Sequence, residues 1–544
     1  MKGILVFLIS MALLLSACRI DNRRFKNGSG IINSSTSFHS GKGSRVEFSG
    51  NREAELFSRE LTESLKGVLK YNFVTADSVL PVGFVHASPV PQGWSNTFWT
   101  RDGGTFMREL VHWNYTEHAS LMAECLIKMV GMNEYGFFAF PEYFNKYYPK
   151  SGNELDGTSS IIIGMTLLYK NLPSENPLRK DIYDFLHKPS SPVAYIQYQL
   201  KGGPLLKGEG EFGAGCYLKG LYCNVVQNNL SALALLAVSE IETMAGDLQR
   251  ADSLQNDAEK IFDNMQKYLV NNDGTWIWCV NPETMKPDLH IIQDSINVGF
   301  GGINGVLSMY SDVCGFEPAR NKSIFDPSFR TFSKLYNTPL RKEQFDKYGI
   351  WTQFDVYVAG LLTSPSYGQG YATQVMLLSD SIEMASKAIG FFARHTYQPI
   401  PGYIVHRKSP YFIYERMYSP DAPGKVKIVE GCGALNLVNV TEQLKVGRLM
   451  IGIDDSDPDT LKLIPRIPSS WKGYIASGWP VYTRNGVSYL DIKYEKKGDN
   501  ISLKLKSSLP IKVIMVRLPS NKGWRWISNK DCKKMSIKSN YFTN

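Results

Sequence analysis

The sequence is poor in the patterns that hold metals or cross-link small domains. Its eight histidines fall in no HxH or HxxxH spacing, and no CxxC occurs among its eight cysteines in 544 residues. Those spacings are what the common transition-metal sites require, so no metal and no cofactor are expected. After Cys18 the cysteines are Cys125, Cys216, Cys223, Cys279, Cys314, Cys432 and Cys532. They are widely spaced and read as small buried hydrophobes, with a bridge left open only for the close pair Cys216 and Cys223. Charge is also unconcentrated. The formal net charge is +9, and Lys and Arg are scattered except from Lys522 to Lys538, which reads as a solvated face. No aromatic stacking platform accompanies it, so nucleic acid is excluded as a partner. The apolar run Ile4 to Leu15 falls short of the roughly 20 residues of a spanning helix.

That run has instead the length of a signal-peptide core. Lys2 precedes it and Leu15-Ser16-Ala17-Cys18 ends it, a segment that resembles the lipobox of bacterial lipoproteins. The resemblance implies that residues 1–18 are a signal peptide and that Cys18 is lipidated. It also implies a place in the bacterial cell envelope, on the periplasmic face or the outer-membrane surface, with the lipid as the sole membrane contact. The Ser/Gly/Asn-rich stretch from Asn27 to Gly50 makes residues 19–50 a flexible tether. Hydrophobic residues at 43% and aromatic residues at 12% describe a folded remainder. Its length predicts one large domain and a smaller one.

From Ala54 onward apolar residues recur at helical spacing, as in Leu121, Met122, Cys125, Leu126 and Met129. Asp156-Gly157-Thr158 starts a helix, and Asp181 to Leu200 gives short helices broken by Pro189 and Pro192. The clearest helices carry the stripes Leu230, Leu233, Ala234, Ala237 and Ile241, then Ala258, Ile261, Phe262, Met265, Tyr268 and Leu269. Later ones are expected at Val298 to Ser311, Gly368 to Leu378, Ser381 to Tyr397 and Ala434 to Leu444. About a dozen helices in hairpins imply a closed ring of six, an (α/α)6 barrel over residues 51–446. After Gly447 the segments Leu449 to Ile453, Leu461 to Ile464, Tyr474 to Ser477, Val487 to Tyr494, Ile501 to Leu505 and Ile511 to Leu518 are short and β-rich. They predict a small antiparallel, sandwich-like β domain over residues 447–544. Between them, Asp454 to Asp459 lacks the glycine and distal Glu of an EF-hand and reads as a capped turn.

The stretch that organises the helical part is Trp94 to Glu109. It sets Trp94 and Trp99 beside Arg101 and Asp102, and Gly103-Gly104 then lead into a helix. Aromatic faces stack on a pyranose, while a carboxylate and a guanidinium fork bind its hydroxyls. A structural salt bridge at a helix start is the alternative. Trp276, Trp278 and Trp351 are further platform candidates that core packing would equally explain. Glycoside hydrolysis also needs two carboxyl groups on opposite sides of the anomeric carbon. The loop Lys207 to Gly215 offers Glu209 and Glu211; the loop Pro410 to Pro420 offers Glu415 among aromatics, a setting that favours a protonated acid.

Trp99-Thr100-Arg101-Asp102-Gly103, followed by Phe106 and a helix, resembles the Trp-Thr-Arg-Asp-Ser/Gly segment of the glucoamylase-like glycoside hydrolases of the six-hairpin (α/α)6 superfamily. The resemblance covers about Arg52 to Lys445. It implies that Arg101 and Asp102 bind the terminal sugar, that Glu211 is the general acid, and that Glu415, beginning Glu415-Arg416-Met417-Tyr418, is the general base. Departures are the missing tryptophan before Glu211, which keeps Glu209 as a rival acid, and Arg416 where the family has glutamine. Glu430 is a second rival, read chiefly as a helix-start carboxylate. The expectation is a monomeric, inverting, exo-acting hydrolase of oligo- or polysaccharides. A six-hairpin phosphorylase and a glycan-binding lipoprotein without catalysis are the alternatives.

Overall fold

A computed structural model of the chain describes residues 43–76, 80–88, 96–145, 150–208, 222–287, 301–317, 321–351, 362–363, 368–396, 416–418, 428–430, 435–520 and 523–540. Cys18, Trp94, Glu209, Glu211, Glu415, Cys216 and Cys432 lie outside them. Within them the chain is mainly helical up to Ile451 and almost entirely β from Ile453.

Two kinds of helix follow from two kinds of sequence. α1 (Arg52–Tyr71) buries the stripe Ala54, Phe57, Leu61, Leu65 and Val68, and its first turn is capped by the Asn51 side chain. α2 (Thr100–His112) has every residue buried. This contrast of a one-sided stripe with burial all round separates outer from inner helices. The outer set continues with α3 (Thr116–Met129), then α5 (Pro177–His187) and α6 (Pro192–Gln199) on either side of Pro189. The inner helices α4 (Leu155–Asn171) and α7 (Val225–Ala245) alternate with these and with the outer α8 (Leu248–Tyr268). The pattern runs on through α9 (Gly301–Cys314), α10 (Lys322–Tyr336), α11 (Pro339–Tyr348), α12 (Gln369–Leu378), α13 (Ile382–Thr396) and α14 (Leu437–Ile451).

The inner helices α2, α4, α7, α9, α12 and α14 each pack on the next, and α14 packs on α2. Hydrogen bonds join them at matching depth. Thr105 meets Ser160 (3.3 Å), Ser159 meets Ser231 (3.1 Å), and Asn229 donates to the Val306 carbonyl (3.1 Å). Ser308 donates to Gln374, whose Nε2 donates to the Glu442 carbonyl (3.0 Å), and Arg448 reaches Glu109 (2.8 Å). All six therefore run in the same direction and begin at one end. Close approach depends on Gly104: a Cβ there would lie 2.3 Å from the Ser160 backbone. Gly103 and Gly104, expected to turn the chain into a helix, are inside it.

Proline concealed two helices. The Pro- and Gly-interrupted stretch before Thr363 holds α10, with Pro327 inside it, and α11, with Pro339 in its first turn, where a missing N–H costs nothing. α14 runs seven residues beyond the expected Leu444, so the strand expected at Leu449 to Ile453 is helix as far as Ile451.

The C-terminal strands form one seven-stranded sheet in the order β1-β11-β12-β13-β10-β9, with β14 on β13. β1 is Arg45–Ser49, so the end of the expected tether is an edge strand. β9 (Ile453–Asp457), β10 (Thr460–Leu463), β11 (Gly473–Thr483) and β12 (Gly486–Lys497) precede β13 (Asn500–Ser520), which merges two expected strands. β10 pairs with β13 in parallel, a departure from the antiparallel expectation. The basic tail is β14 (Gly523–Asn540), burying Met535 and Ile537 and exposing Lys530, Lys534 and Lys538. Of the capped turn expected at Asp454 to Asp459, the residues up to Asp457 are strand β9 and only the connection to β10 is a turn, where Asp457 accepts from the N–H of Asp459. Asp454 accepts from the N–H groups of Phe316 and Ser456, and Asp455 from that of Tyr482. Trp113 against Trp479 (4.7 Å between rings) and Phe57 of α1 against Phe48 of β1 (5.9 Å) staple sheet to helices.

Deep in the inner helices, Asp312 of α9 lies 3.2 Å from Arg108, 2.6 Å from Lys445 and 2.8 Å from Arg448. Burial alone would raise its carboxyl; Lys445, then Arg108 and Arg448, hold it well below the usual range. Removing one partner from such a cluster leaves uncompensated buried charge. Asp312→Asn is therefore expected to lower unfolding stability in urea by about 3–5 kcal/mol. Lys334→Ala, which breaks a half-exposed pair with Asp273 (2.7 Å), is expected to change it by less than about 1 kcal/mol. Equal losses would contradict the assignment.

Candidate active site

The site is built on the first turn of α2. Strand β2 (Phe98–Trp99) pairs with β3 (Tyr143–Phe144), setting Trp99 opposite Tyr143 with ring centroids 5.2 Å apart. Thr100 then fixes the helix start, its hydroxyl lying 2.7 Å from the Pro141 carbonyl, 3.1 Å from that of Glu142 and 3.3 Å from a Glu154 carboxyl oxygen. Gly103 leaves room for the Phe98 ring, which a Cβ would meet at 2.3 Å. Each letter of Trp-Thr-Arg-Asp-Gly-Gly thus has a local packing reason.

Arg101 and Asp102 are paired at 3.2 Å, and the other arm of the guanidinium lies 3.7 Å from Asp156 at the start of α4. The Arg101 carbonyl accepts from Ser160 (2.9 Å) and Thr105 (3.0 Å). Exposure ranks these groups: Asp156 keeps none of its surface, Arg101 4% and Asp102 8%, while Trp99 is half-buried. Asp156 thus lies behind Arg101, and Asp102 lies on its more open side.

Three further groups were not singled out in the sequence. Glu154 sits against Asp156, and burial, with that second carboxyl, pushes its own carboxyl up. Glu442 of α14 is fully buried and its carboxyl is raised well above the usual range by burial, with Asp102 adding to it. The N–H groups of Gly368, Gly370 and Tyr371 at the start of α12 lie against it and oppose the shift, yet none closes a hydrogen bond of ordinary geometry. Gly370 admits this approach, since a Cβ there would lie 2.3 Å from a Glu442 carboxyl oxygen. Tyr371 is also buried, its hydroxyl raised by burial and by Glu442. Tyr371 and Glu442 lie within the helices expected at Gly368 to Leu378 and Ala434 to Leu444, where periodicity gives neither a role.

Glu209, Glu211 and Glu415 lie outside the described residues, but residues close to them in sequence do not. Gly208 and Tyr222 bridge one another just before Asn224, which caps α7 by accepting from Gln227 (2.8 Å). Glu415 immediately precedes β7 (Arg416–Tyr418), which lies between β6 (Leu362–Thr363) and β8 (Ile428–Glu430). β6 leads to the start of α12 and β8 to the start of α14. Glu430 is in β8, paired in register with Arg416, and is not the helix-start carboxylate expected; Asn436 caps α14.

Of the other aromatic candidates, Trp276, Trp278 and Trp351 are core residues, exposed by 4%, 7% and 1%. Trp351 stacks on Phe332 (4.9 Å) and Trp276 donates to Ser328 (2.9 Å). Among the described residues, His187, Glu242 and Asp247 converge as metal ligands would. Arg250 (2.9 Å) and Tyr183 (2.8 Å) already bind the Glu242 carboxylate, so that grouping is an ion-pair network. Among the described residues no helix is long and apolar enough to cross a membrane.

Compared as a sequence, the chain matches no family model and no curated protein. As a fold it is similar to the α-L-rhamnosidase of Streptomyces avermitilis, solved with L-rhamnose (TM-score 0.57, 13% identity, 92% of this chain and 42% of that one). It is likewise similar to the GH78 family rhamnosidase of Bacillus sp. GL1 (TM-score 0.56, 12% identity, 88% and 43%). The glucoamylase of Saccharomycopsis fibuligera aligns over 74% of this chain and 96% of its own (TM-score 0.51, 14% identity). The chain spans less than half the length of those two rhamnosidases. At these identities the likeness is one of fold: the chain shares the fold of these rhamnosidases over most of its length, and that of this glucoamylase over 74% of it.

Proposed function

We propose that the chain is a glycoside hydrolase with an (α/α)6 barrel that removes a terminal sugar from an oligo- or polysaccharide with inversion. The observation that carries this reading is convergence at one end of the inner helices: the Arg101–Asp102 pair, the half-buried Trp99, and the anchored ends of both acid-bearing loops. Asp102 accepts hydrogen bonds from sugar hydroxyls, Arg101 donates while Asp156 holds its other arm, and Trp99, with Trp94, stacks on the ring. Glu211 gives its proton to the glycosidic oxygen as the bond to the anomeric carbon breaks. Glu415 takes a proton from the water that attacks the opposite face. Inversion corresponds to carboxyl groups about 6.5–9.5 Å apart. Lipidation at Cys18, an envelope location and a monomeric state belong to the same proposal.

Glu442 enters as a neutral acid. A buried carboxyl kept protonated donates a hydrogen bond and adds no repulsion to Asp102.

Four outcomes test this. On a panel of aryl and natural glycosides that includes α-L-rhamnosides and α-D-glucosides, Glu211→Gln and Glu415→Gln are each expected to lose about 10²–10⁴-fold in kcat. The product anomer, followed by proton NMR, is expected to be inverted. Turnover that requires phosphate would identify a phosphorylase, and binding without turnover a glycan-binding protein.

Asp102→Asn removes a charged hydrogen-bond acceptor, an interaction of about 1.5–3 kcal/mol. kcat/KM is therefore expected to fall about 10- to 150-fold.

Glu442 also has a signature in stability. Its folded carboxyl is raised, so its contribution is full below the unfolded value of about 4.3 and is lost as pH rises through the folded value, by up to about 1.4 kcal/mol per pH unit. Urea unfolding of Glu442→Gln is expected to fall less steeply than that of the natural protein above pH 5. Identical profiles would show that the carboxyl is ionised.

A further inference from the structure

At the opposite end of the inner helices lies a cavity of about 600 Å³, within the range of about 300–1,000 Å³ typical of small-molecule sites. It is separate from the candidate active site. Asn114, on its wall, is 12 residues past Asp102, which is about 18 Å along a helix rising 1.5 Å per residue. Its walls are the α2–α3 turn, the α4–α5 loop and the β11–β12 hairpin.

The hairpin wall is aromatic and fixed. Tyr482 is opposite Val487 in register, and alternation puts Tyr489 on the same face as Val487. The Tyr482 N–H donates to Asp455 (2.8 Å), and Arg484 forms a two-pronged pair with Asp459 (2.8 and 2.7 Å). Tyr489 is 46% exposed, a large ring at the cavity edge.

The facing loop supplies cations. Lys170 is engaged with Glu240 (2.7 Å) and lies 5.3 Å from the centre of the Tyr482 ring. Arg179 has no carboxylate partner among the described residues; it stacks on Tyr169 (4.5 Å) and spends one arm on the Leu172 carbonyl (3.3 Å). His118 is held neutral by burial, and the exposed Glu117 is the one acid on the wall. Exposed phenol rings suit the apolar face of a sugar, and a guanidinium with free donors suits a planar carboxylate.

We infer that this cavity is a second, non-catalytic saccharide site, with a sugar ring stacked on Tyr489 and Tyr482 and the carboxylate of an acidic sugar on Arg179. The inference stands on the lining alone and is independent of the roles proposed for Glu211 and Glu415.

Native electrophoresis of the full chain through gels containing polygalacturonate or neutral mannan tests it. Polygalacturonate is expected to retard the natural protein more than mannan does, with at least a tenfold weaker apparent affinity in Tyr489→Ala and in Arg179→Ala. Both variants are expected to melt as the natural protein does. Asp102→Asn is expected to be retarded like the natural protein. Absence of retardation, equal retardation by mannan, retardation unchanged in both cavity variants, or loss in Asp102→Asn would each overturn the inference. Absence of turnover on glycosides bears on the proposed hydrolase and leaves this result standing.

Discussion

Asp312 is the residue on which the geometry of the inner helices turns. It reaches Arg108 on the first inner helix and both Lys445 and Arg448 on the last, and Arg448 goes on to Glu109. Helices far apart in sequence are thereby tied where each is buried on every side. Apolar packing alone would tolerate small slips of one helix along another, whereas ion pairs of this kind have one good register. Buried pairs rarely add much net stability, because desolvation offsets the attraction. What they supply here is the match of depth that brings the start of α14 beside the start of α2. Burial pushes the Lys445 ammonium down to about 8, opposed by Asp312, so the cluster's excess positive charge is softened as well as paired.

A common direction has an electrostatic consequence. Six helix starts at one end present their partial positive charges and free N–H groups there, and acids gather to meet them: Asp102, Glu154, Asp156 and Glu442. They do not behave alike. Asp156 and Asp102 have the Arg101 guanidinium, while Glu154 and Glu442 are pushed up because burial outweighs what the helix starts offer. Carboxyl groups with and without a guanidinium partner thus stand close together at this end of the helices.

The sequence was most legible where one physical rule acted alone. Helices at 369–378 and 382–396 were readable from periodicity because Asp380, with φ of 58°, turns the chain sharply between them. The pairing of Arg101 with Asp102 at a helix start was readable because the two opposite charges adjoin ahead of a run with helical spacing. Legibility failed where rules competed. Pro339 hid a helix because proline weighs against a helix in general yet fits a first turn, and Pro327 hid another from within its interior. β14 was masked by its lysines: alternation with Met535 and Ile537 was present, but the charge was read first. Glu442 could not have been found from the sequence, since its role depends on Gly370 of another helix making room for its carboxyl.

The β sheet has more to do than close the open end of the helical part. Its hairpin reaches the loops after α2 and α4, and its first strand is contributed by residues ahead of α1. Trp113, at the end of α2, stacks on Trp479 of the sheet while the start of the same helix carries Arg101 and Asp102. Trp479 in turn donates to the Arg45 carbonyl (3.0 Å) in β1. α2 is thus fixed at both ends by different means, by Thr100 against the carbonyls of Pro141 and Glu142 and by an aromatic pair to the sheet. A helix held in this way cannot slide or rotate without breaking one of the two. The position of Asp102 is therefore set as much by the sheet, about three turns away, as by its own neighbours.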